Sequence, residues 1–327
     1  MASSLTKPIS GNGIPRRDLL DITGIRGGGV RLAHRSEPLL TLVEVQQFAD
    51  QRGGGRRRQG RLGHGRLRGA RWLRIDSGRP TARIVVVQAD AGARFVVKQH
   101  ADPAAGRREL RAHRHWVPVL AGQAPQLCAA DDELHALVLT FVPGDPGRAD
   151  PTAQLEAGAL LRRFHDSEPP QSRNRFVPRI LEELTDALER GPHLFDAEET
   201  QFVQAQIHAW EGSPTPELVP CHLDYVPRNW LMPPDRAELI DFAGARRHVW
   251  SYDLARLYFG EWRRSPDLMD AFLAGYGRPL SDAGLDLLRR CATHTAVRAL
   301  VRDRQHVQPT RRQRFRRIVR AIMDGDR

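Results

Sequence analysis

The alternation of hydrophobic and polar positions changes texture along this chain. Residues 71–99 carry three short runs rich in β-branched side chains: RWLRID (71–76), ARIVVVQ (82–88) and ARFVVKQ (93–99). The turn formers Ser77-Gly78-Arg79-Pro80 and Asp90-Ala91-Gly92 separate them, which is the pattern of an antiparallel meander. Asp102-Pro103 opens a predicted helix with proline at its first position, running through Arg107-Arg108-Glu109-Leu110 to Trp116. The run LHALVLTFV (134–142) predicts another buried strand, closed by Pro143-Gly144-Asp145-Pro146-Gly147. Beyond it the spacing of apolar positions predicts helices over 151–165, 176–190, 196–211, 253–262, 266–276, 281–304 and 311–323, with a loop-rich segment at 214–251. Strands first and helices later indicate an α+β chain of two lobes: a small antiparallel-sheet N-lobe at 71–143 and a mainly helical C-lobe at 144–327.

Residues 1–70 differ from both. Thr41–Asp50 (TLVEVQQFAD) has the pattern of a short helix or strand, but glycine tracts at 27–29 and 53–55 flank it. Of the 20 residues from Arg52 to Arg71, 15 are glycine or arginine. Such a stretch buries too little surface to offset chain entropy, so the first seventy residues read as an irregular Gly/Arg-rich extension.

Composition narrows the function. No apolar run approaches the ~18 residues a bilayer span requires, which excludes a membrane-embedded role. The start MASSLTKPIS lacks an apolar signal core, and Cys128, Cys221 and Cys291 are too scattered for a disulfide framework or a zinc site. A cytoplasmic location is expected. The formal charge of +11 divides into +10 over residues 1–80, −6 over 81–260 and +7 over 261–327. A polyanion binder is expected to concentrate positive charge on its folded motifs, so nucleic acid is disfavoured as the main partner. Only Lys7 and Lys98 are lysine, against 48 arginines, which makes a lysine at the end of a strand conspicuous.

The densest chemistry lies in CHLDYVPRNWLM and the following ELIDFAGARRHVWSYDLARL. His222-x-Asp224 is followed by Asn229 five residues after the aspartate, and by Ile240-Asp241-Phe242. Phosphoryl transfer needs metal ions on the phosphates, a lysine on them, and a carboxylate aimed at the attacking hydroxyl. Mg²⁺ takes hard oxygen ligands, and a side-chain amide plus a carboxylate from separate segments supply two of them. Asn229 and Asp241 fit that requirement, while Asp224 is left to orient or deprotonate an acceptor hydroxyl.

This constellation resembles the aminoglycoside phosphotransferase and choline kinase family, relatives of the protein kinases. Its catalytic loop reads H-x-D-x-x-x-x-N and is followed by a hydrophobic-D-[FW] segment; His222, Asp224, Asn229 and Asp241 occupy those positions. The resemblance implies a two-lobed protein-kinase-like fold, ATP and Mg²⁺, Asp224 as catalytic base or orienting group, and Asn229 and Asp241 as metal ligands. It implies Lys98, ending the strand RFVVK, as the phosphate-binding lysine, and Glu109, eleven residues later, as its ion-pair partner. The nucleotide loop falls at 76–83, where Gly78 is the sole glycine, and the adenine-facing connector at Thr140 to Pro143, including Val142. Asp253 in YDLARL is either a loop support or a plain helix cap, His222 is read as structural, and Phe164-His165 as core packing and capping. Leu223 and Ala243 stand where relatives often carry glycine.

The implied activity is transfer of the γ-phosphoryl group of ATP to a hydroxyl of a small molecule, an antibiotic such as an aminoglycoside or nucleoside, conferring resistance. The acidic middle permits a polycationic acceptor, whereas Arg246-Arg247 argue against a uniformly acidic site. The arginines at 311, 312, 314, 316, 317 and 320 read as a solvated helix face. The competing readings are a catalytically silent kinase-like binding protein and an Arg/Gly-tailed nucleic-acid binder.

Overall fold

A computed structural model of the chain describes residues 71–74, 81–88, 92–147, 150–173, 175–232, 236–302 and 309–325. The extension at 1–70, including the segment 41–50, and the turn that holds Gly78 lie outside the described residues.

The β-branched runs form the expected meander. Strands β1 (Arg71–Arg74), β2 (Ala82–Gln88) and β3 (Arg94–His100) pair antiparallel, and β5 (Ala136–Thr140) pairs with β3. Strand β4 (Leu127–Asp131) completes a five-stranded sheet of order β1-β2-β3-β5-β4. Its sequence LCAAD has no β-branched or aromatic residue, so no strand is predicted there; pairing with the buried β5 makes it one, across a bulge between Leu127 and Ala129.

Helix α1 (Pro103–His115) starts where the Asp-Pro pair places it: the Asp102 carboxylate accepts from the Ala104 amide at 2.9 Å and Pro103 is the first helical residue. It packs against the sheet through Leu110, which joins Leu137 and Leu139 in a small core. Two antiparallel pairs carry the register that matters: Lys98 lies opposite Ile84 on one side and Leu137 on the other.

The remainder is mainly helical. It comprises α2 (Pro151–His165), α3 (Phe176–Arg190), α4 (Ala197–Glu211), α5 (Ser251–Leu257), α6 (Pro266–Tyr276), α7 (Asp282–Arg302) and α8 (Pro309–Gly325). A single π-helical turn, Tyr258–Trp262, follows α5 where one continuous helix is predicted. Asp150 caps α2, and Asp196 with Glu199 forms a reciprocal capping box on α4. Helices α2 and α6 cross with no room for side chains at the contact: a Cβ on Gly158 would meet the Phe272 carbonyl at 2.1 Å, and one on Gly275 the Leu155 carbonyl at 1.9 Å. Beneath them Phe164, Tyr225, Trp230, Phe242 and Phe272 are fully buried in the main core.

The segment read as loops, 214–251, contains short strands that frame the chemistry. The strand β8 (Glu217–Cys221) pairs with β7 (Gln171–Ser172) and β11 (Arg246–His248); β9 (Trp230–Met232) pairs with β6 (Asp145–Pro146) and β10 (Glu238–Leu239). Strands of two or three residues are too short to show a period in sequence. The arginine face of α8 also needs correction. Arg316 reaches Asp196 at 2.7 Å and Glu199 at 2.9 Å, and Arg320 pairs with Asp196, Glu198 and Glu199, so these two dock α8 on the start of α4.

Candidate active site

The two parts of the chain meet at Lys98. Its alternation on β3 turns it into the protein, where Nζ lies 2.9 Å from Glu109 Oε2 and 2.6 Å from Asp241 Oδ1. Lys98, from the sheet, Glu109, from α1, and Asp241, from the segment after β10, thus converge from positions up to 143 residues apart. Lys98 and Glu109 are buried, and His100 Nε2 adds a bond of 2.5 Å to Glu109 Oε2. Burial would lower the pKa of the ammonium and raise that of the carboxyl. Their mutual attraction outweighs it: Glu109 and Asp241 hold Lys98 above its ordinary value, and Lys98 and His100 hold Glu109 well below the usual carboxylate range. Lys98 and Glu109 therefore form an ionised pair at neutral pH.

Asp241 has φ 69° and ψ 67°, the left-handed region that aspartate enters more readily than most residues. That conformation, at the junction of β10 and the turn Phe242–Gly244, accompanies its contact with Lys98. Asn229 is buried at the end of a 3₁₀ turn, Pro227–Asn229. Its Nδ2 donates to the Asp224 carbonyl at 2.7 Å and to Asp224 Oδ2 at 3.0 Å. Both amide hydrogens are thereby occupied, which fixes the amide orientation and leaves its oxygen as the acceptor to be presented.

Asp224 sits on the same loop in a cationic setting. Arg228 Nη2 reaches both of its oxygens, at 2.8 and 2.6 Å, and Arg256 contacts Oδ1. Burial would raise the carboxyl pKa, but Arg256 and Arg228 hold it below the usual range. Asp224 is thus held as an anion of weakened basicity.

The loop is held from below by Asp253, which is buried on α5 at its third residue. Its carboxylate accepts from the His222 amide at 2.8 Å, from the Leu223 amide, and faces His165 Nε2 at 2.9 Å. Of the two roles read for Asp253, the hydrogen bonds select loop support. Leu223, where relatives often have glycine, adopts φ 62°, a conformation glycine reaches without steric cost, and its amide bond to Asp253 holds it there. His222 is structural: Nε2 donates to the Ile240 carbonyl at 3.0 Å and Nδ1 accepts from the Asp224 amide at 3.3 Å. Phe164 packs in the core as read, but His165 is more than packing, bridging Asp253 and the Tyr276 hydroxyl.

At the connector, Thr140 ends β5 and Val142 follows it; the Thr140 hydroxyl accepts from the Gln126 amide at 2.8 Å. The Thr140 main-chain N–H is engaged as well, donating to the Gln126 carbonyl at 3.0 Å. Arg228 and Arg256 carry no sequence signal of their own, and His165 is read from sequence only as packing and capping. Among 48 arginines two more carry no contrast, and the His165 partners lie 88 and 111 residues away.

A two-lobed fold with a buried Lys–Glu pair on the sheet side and an Asp–Asn loop on the helical side defines a phosphotransferase of the kinase-like class. The chain matches the model of the phosphotransferase enzyme family (APH) over residues 72–291, two thirds of its length, and belongs to that family, as a kinase acting on a hydroxyl group. Comparison with curated proteins finds no match. Solved structures share the fold. An aminoglycoside 2'-phosphotransferase-IIIa in its GDP complex aligns at TM-score 0.60 and 13% identity, over 88% of this chain and 99% of that one. The aminoglycoside phosphotransferase APH(4)-Ia, a thermostable mutant with AMP-PNP and hygromycin B, gives 0.61 and 13%, over 78% and 94%. A choline/ethanolamine kinase family protein from Mesorhizobium loti gives 0.60 and 15%, over 77% and 88%. No helix among the described residues is long and apolar enough to cross a membrane.

Proposed function

We propose that this protein transfers the γ-phosphoryl group of ATP to a hydroxyl of a small molecule of the antibiotic type, with Mg²⁺ as the metal, and so confers resistance. The observation that carries the reading is the meeting of Lys98, Glu109 and Asp241 beside the loop of Asp224 and Asn229. The donor set fits a hard divalent cation, since Asn229 offers an amide oxygen and Asp241 a carboxylate. When bound, Mg²⁺ supplies charge neutralisation on the phosphates.

Lys98, held by Glu109, binds the nucleotide phosphates as a fixed cation, with its aliphatic stem buried in the sheet. Asp224 accepts a hydrogen bond from the acceptor hydroxyl and aims its oxygen at the γ-phosphorus. As the new O–P bond forms, the bond from phosphorus to the β–γ bridging oxygen breaks, ADP leaves with that electron pair, and the hydroxyl proton passes to the Asp224 carboxylate. Arg228 and Arg256 keep this carboxylate in one orientation. Gly78, Thr140 and Val142 are assigned to the nucleotide side, Thr140 and Val142 through main-chain atoms.

The kanamycin, hygromycin B and spectinomycin complexes of the structural neighbours support an antibiotic acceptor, and the GDP, AMP-PNP and ADP they hold support a purine nucleotide. The test is incubation with ATP, Mg²⁺ and a panel of hydroxylated antibiotics, read by mass for one added phosphoryl group. Asp224→Asn is expected to lower turnover by roughly 10²- to 10⁴-fold with the thermal midpoint nearly unchanged. Unaltered turnover in that variant overturns the assigned role.

A further inference from the structure

A cavity of about 320 Å³ opens between α1, the first half of α3, and strands β8 and β11. Seven of its fourteen lining residues are arginine, while Phe176, Ile180 and Leu218 give it apolar walls. Among the described residues that line it, the one carboxylate is Glu183. That group is already engaged, by Arg179 at 2.8 Å, Arg298 at 2.9 Å and His294 at 3.0 Å. The wall is left with a strong excess of positive charge.

Arg246 shows this most clearly. It is only partly exposed, and its Nε is buried with no hydrogen-bond partner. Burial, with Arg179, Arg298 and Arg108 nearby, pushes its pKa down to about 10, so the charged neighbours that weigh most on it repel it. His248, two residues on, is 6% exposed and lines the same cavity with Nδ1 unpartnered. Buried cations and donors without partners are costly, and an oxyanion would supply both the missing charge and the missing acceptors. The planar guanidinium fork suits phosphate and carboxylate geometry.

The cavity shares its supporting segments with the reaction centre. Arg246 pairs with Cys221 across β11 and β8, and Cys221 immediately precedes the loop of His222 and Asp224. Arg108, beside Glu109 on α1, donates through Nε to the Ala243 carbonyl at 3.0 Å, two residues after Asp241. The cavity wall is thus built on the segments that also carry Asp224 and Asp241.

We propose that this cavity receives an oxyanion carried by the acceptor itself, a phosphate monoester or a carboxylate, which narrows the acceptor proposed above to a small hydroxylated anion and sets aside the polycationic aminoglycosides that structural neighbours bind. This rests on the reaction proposed above for the acceptor role alone; anion binding in the cavity stands apart from it.

Calorimetric titrations of the full chain, with Mg·ADP saturating so that the nucleotide site is filled, separate the two. The probes are glycerol 3-phosphate, glycerate, neutral glycerol and kanamycin. At least one of the two anions is expected to bind at millimolar concentration or below, with glycerol and kanamycin bound at least roughly tenfold more weakly. Arg246→Gln is expected to weaken anion binding by about tenfold or more, and Arg246→Lys, which keeps the charge, to retain part of it. Recovery in the lysine variant distinguishes lost recognition from lost folding. Glycerol 3-phosphate binding against glycerate binding tells a phosphate site from a carboxylate site, and either supports the inference. Anion binding equal in wild type and R246Q, no anion binding at all, or phosphorylation of kanamycin overturns it and leaves the reaction standing. Arg246-dependent anion binding, with no transfer from ATP to any member of an acceptor panel, keeps the site and overturns the reaction.

Discussion

Replacing Asp253 by asparagine tests the architecture of the catalytic loop at a buried residue beneath it. The wild-type carboxylate serves the His222 amide and His165 Nε2 with Oδ2, and the Leu223 amide with Oδ1. Asparagine keeps the shape but offers one acceptor oxygen. In its best orientation that oxygen stays on the His222 and His165 side, and the NH₂ group faces the Leu223 N–H, donor against donor. An unsatisfied buried amide costs about 1–3 kcal/mol, and two charge-assisted bonds reduced to neutral ones lose roughly 0.5–1 kcal/mol each. The expected loss is therefore about 2–5 kcal/mol, which for a domain of this size lowers the thermal midpoint by roughly 4–10 °C. Leu223 also loses the bond that holds it at φ 62°, so Asp224 shifts and turnover falls by about tenfold or more. A carboxylate acting only on the first turn of α5 would contribute about 0.3–1 kcal/mol. Calorimetry and initial rates on the purified variant decide between these; a midpoint within about 2 °C of wild type with unchanged turnover refutes the loop-support argument.

Gly275→Ala places a Cβ 1.9 Å from the Leu155 carbonyl and forces α2 and α6 apart, for an expected loss of about 3 kcal/mol or more in denaturant titration. Gly260→Ala, which meets nothing within 4 Å, is the control and should cost little; similar losses in both would disprove the close crossing. Stability should also fall on acidification from neutral pH. Burial pushes His113 down to about 4 from 6.5, and Glu183, which burial alone would raise, is brought to about 2 by His294, Arg179 and Arg298. Both folded-state values are depressed. The stability from the histidine is thus complete above pH 6.5 and lost toward 4, and that from the carboxylate is complete above pH 4.5 and lost toward 2. Thermal midpoints across that range should decline from near pH 6.5 downward; a flat profile to pH 4 contradicts the buried neutral state of His113.

Much of this molecule is local in origin. Asp102-Pro103 and Asp150-Pro151 start helices because a side-chain acceptor and a preset φ satisfy the first turn whatever lies elsewhere. The runs around Val86 and Val97 form strands because alternating β-branched residues fit a half-buried pleat. Lys98 stood out because lysine is otherwise almost absent, and His222, Asp224, Asn229 and Asp241 because their spacing is uncommon. What one-dimensional order does not carry is partnership at long range. Strand β4 exists only through β5, and His165 acquires its role from Asp253 and Tyr276. Arg228 and Arg256, indistinguishable in composition from their fellows, become the clamps on Asp224. The arginine-walled cavity joins α1, α3 and β11, and no segment of the sequence contains it. Capping, turns and alternation are decided within a few residues, where chain connectivity holds the partners together. Ion pairs, cavities and pKa shifts depend on distance and burial, which exist only after the chain has folded.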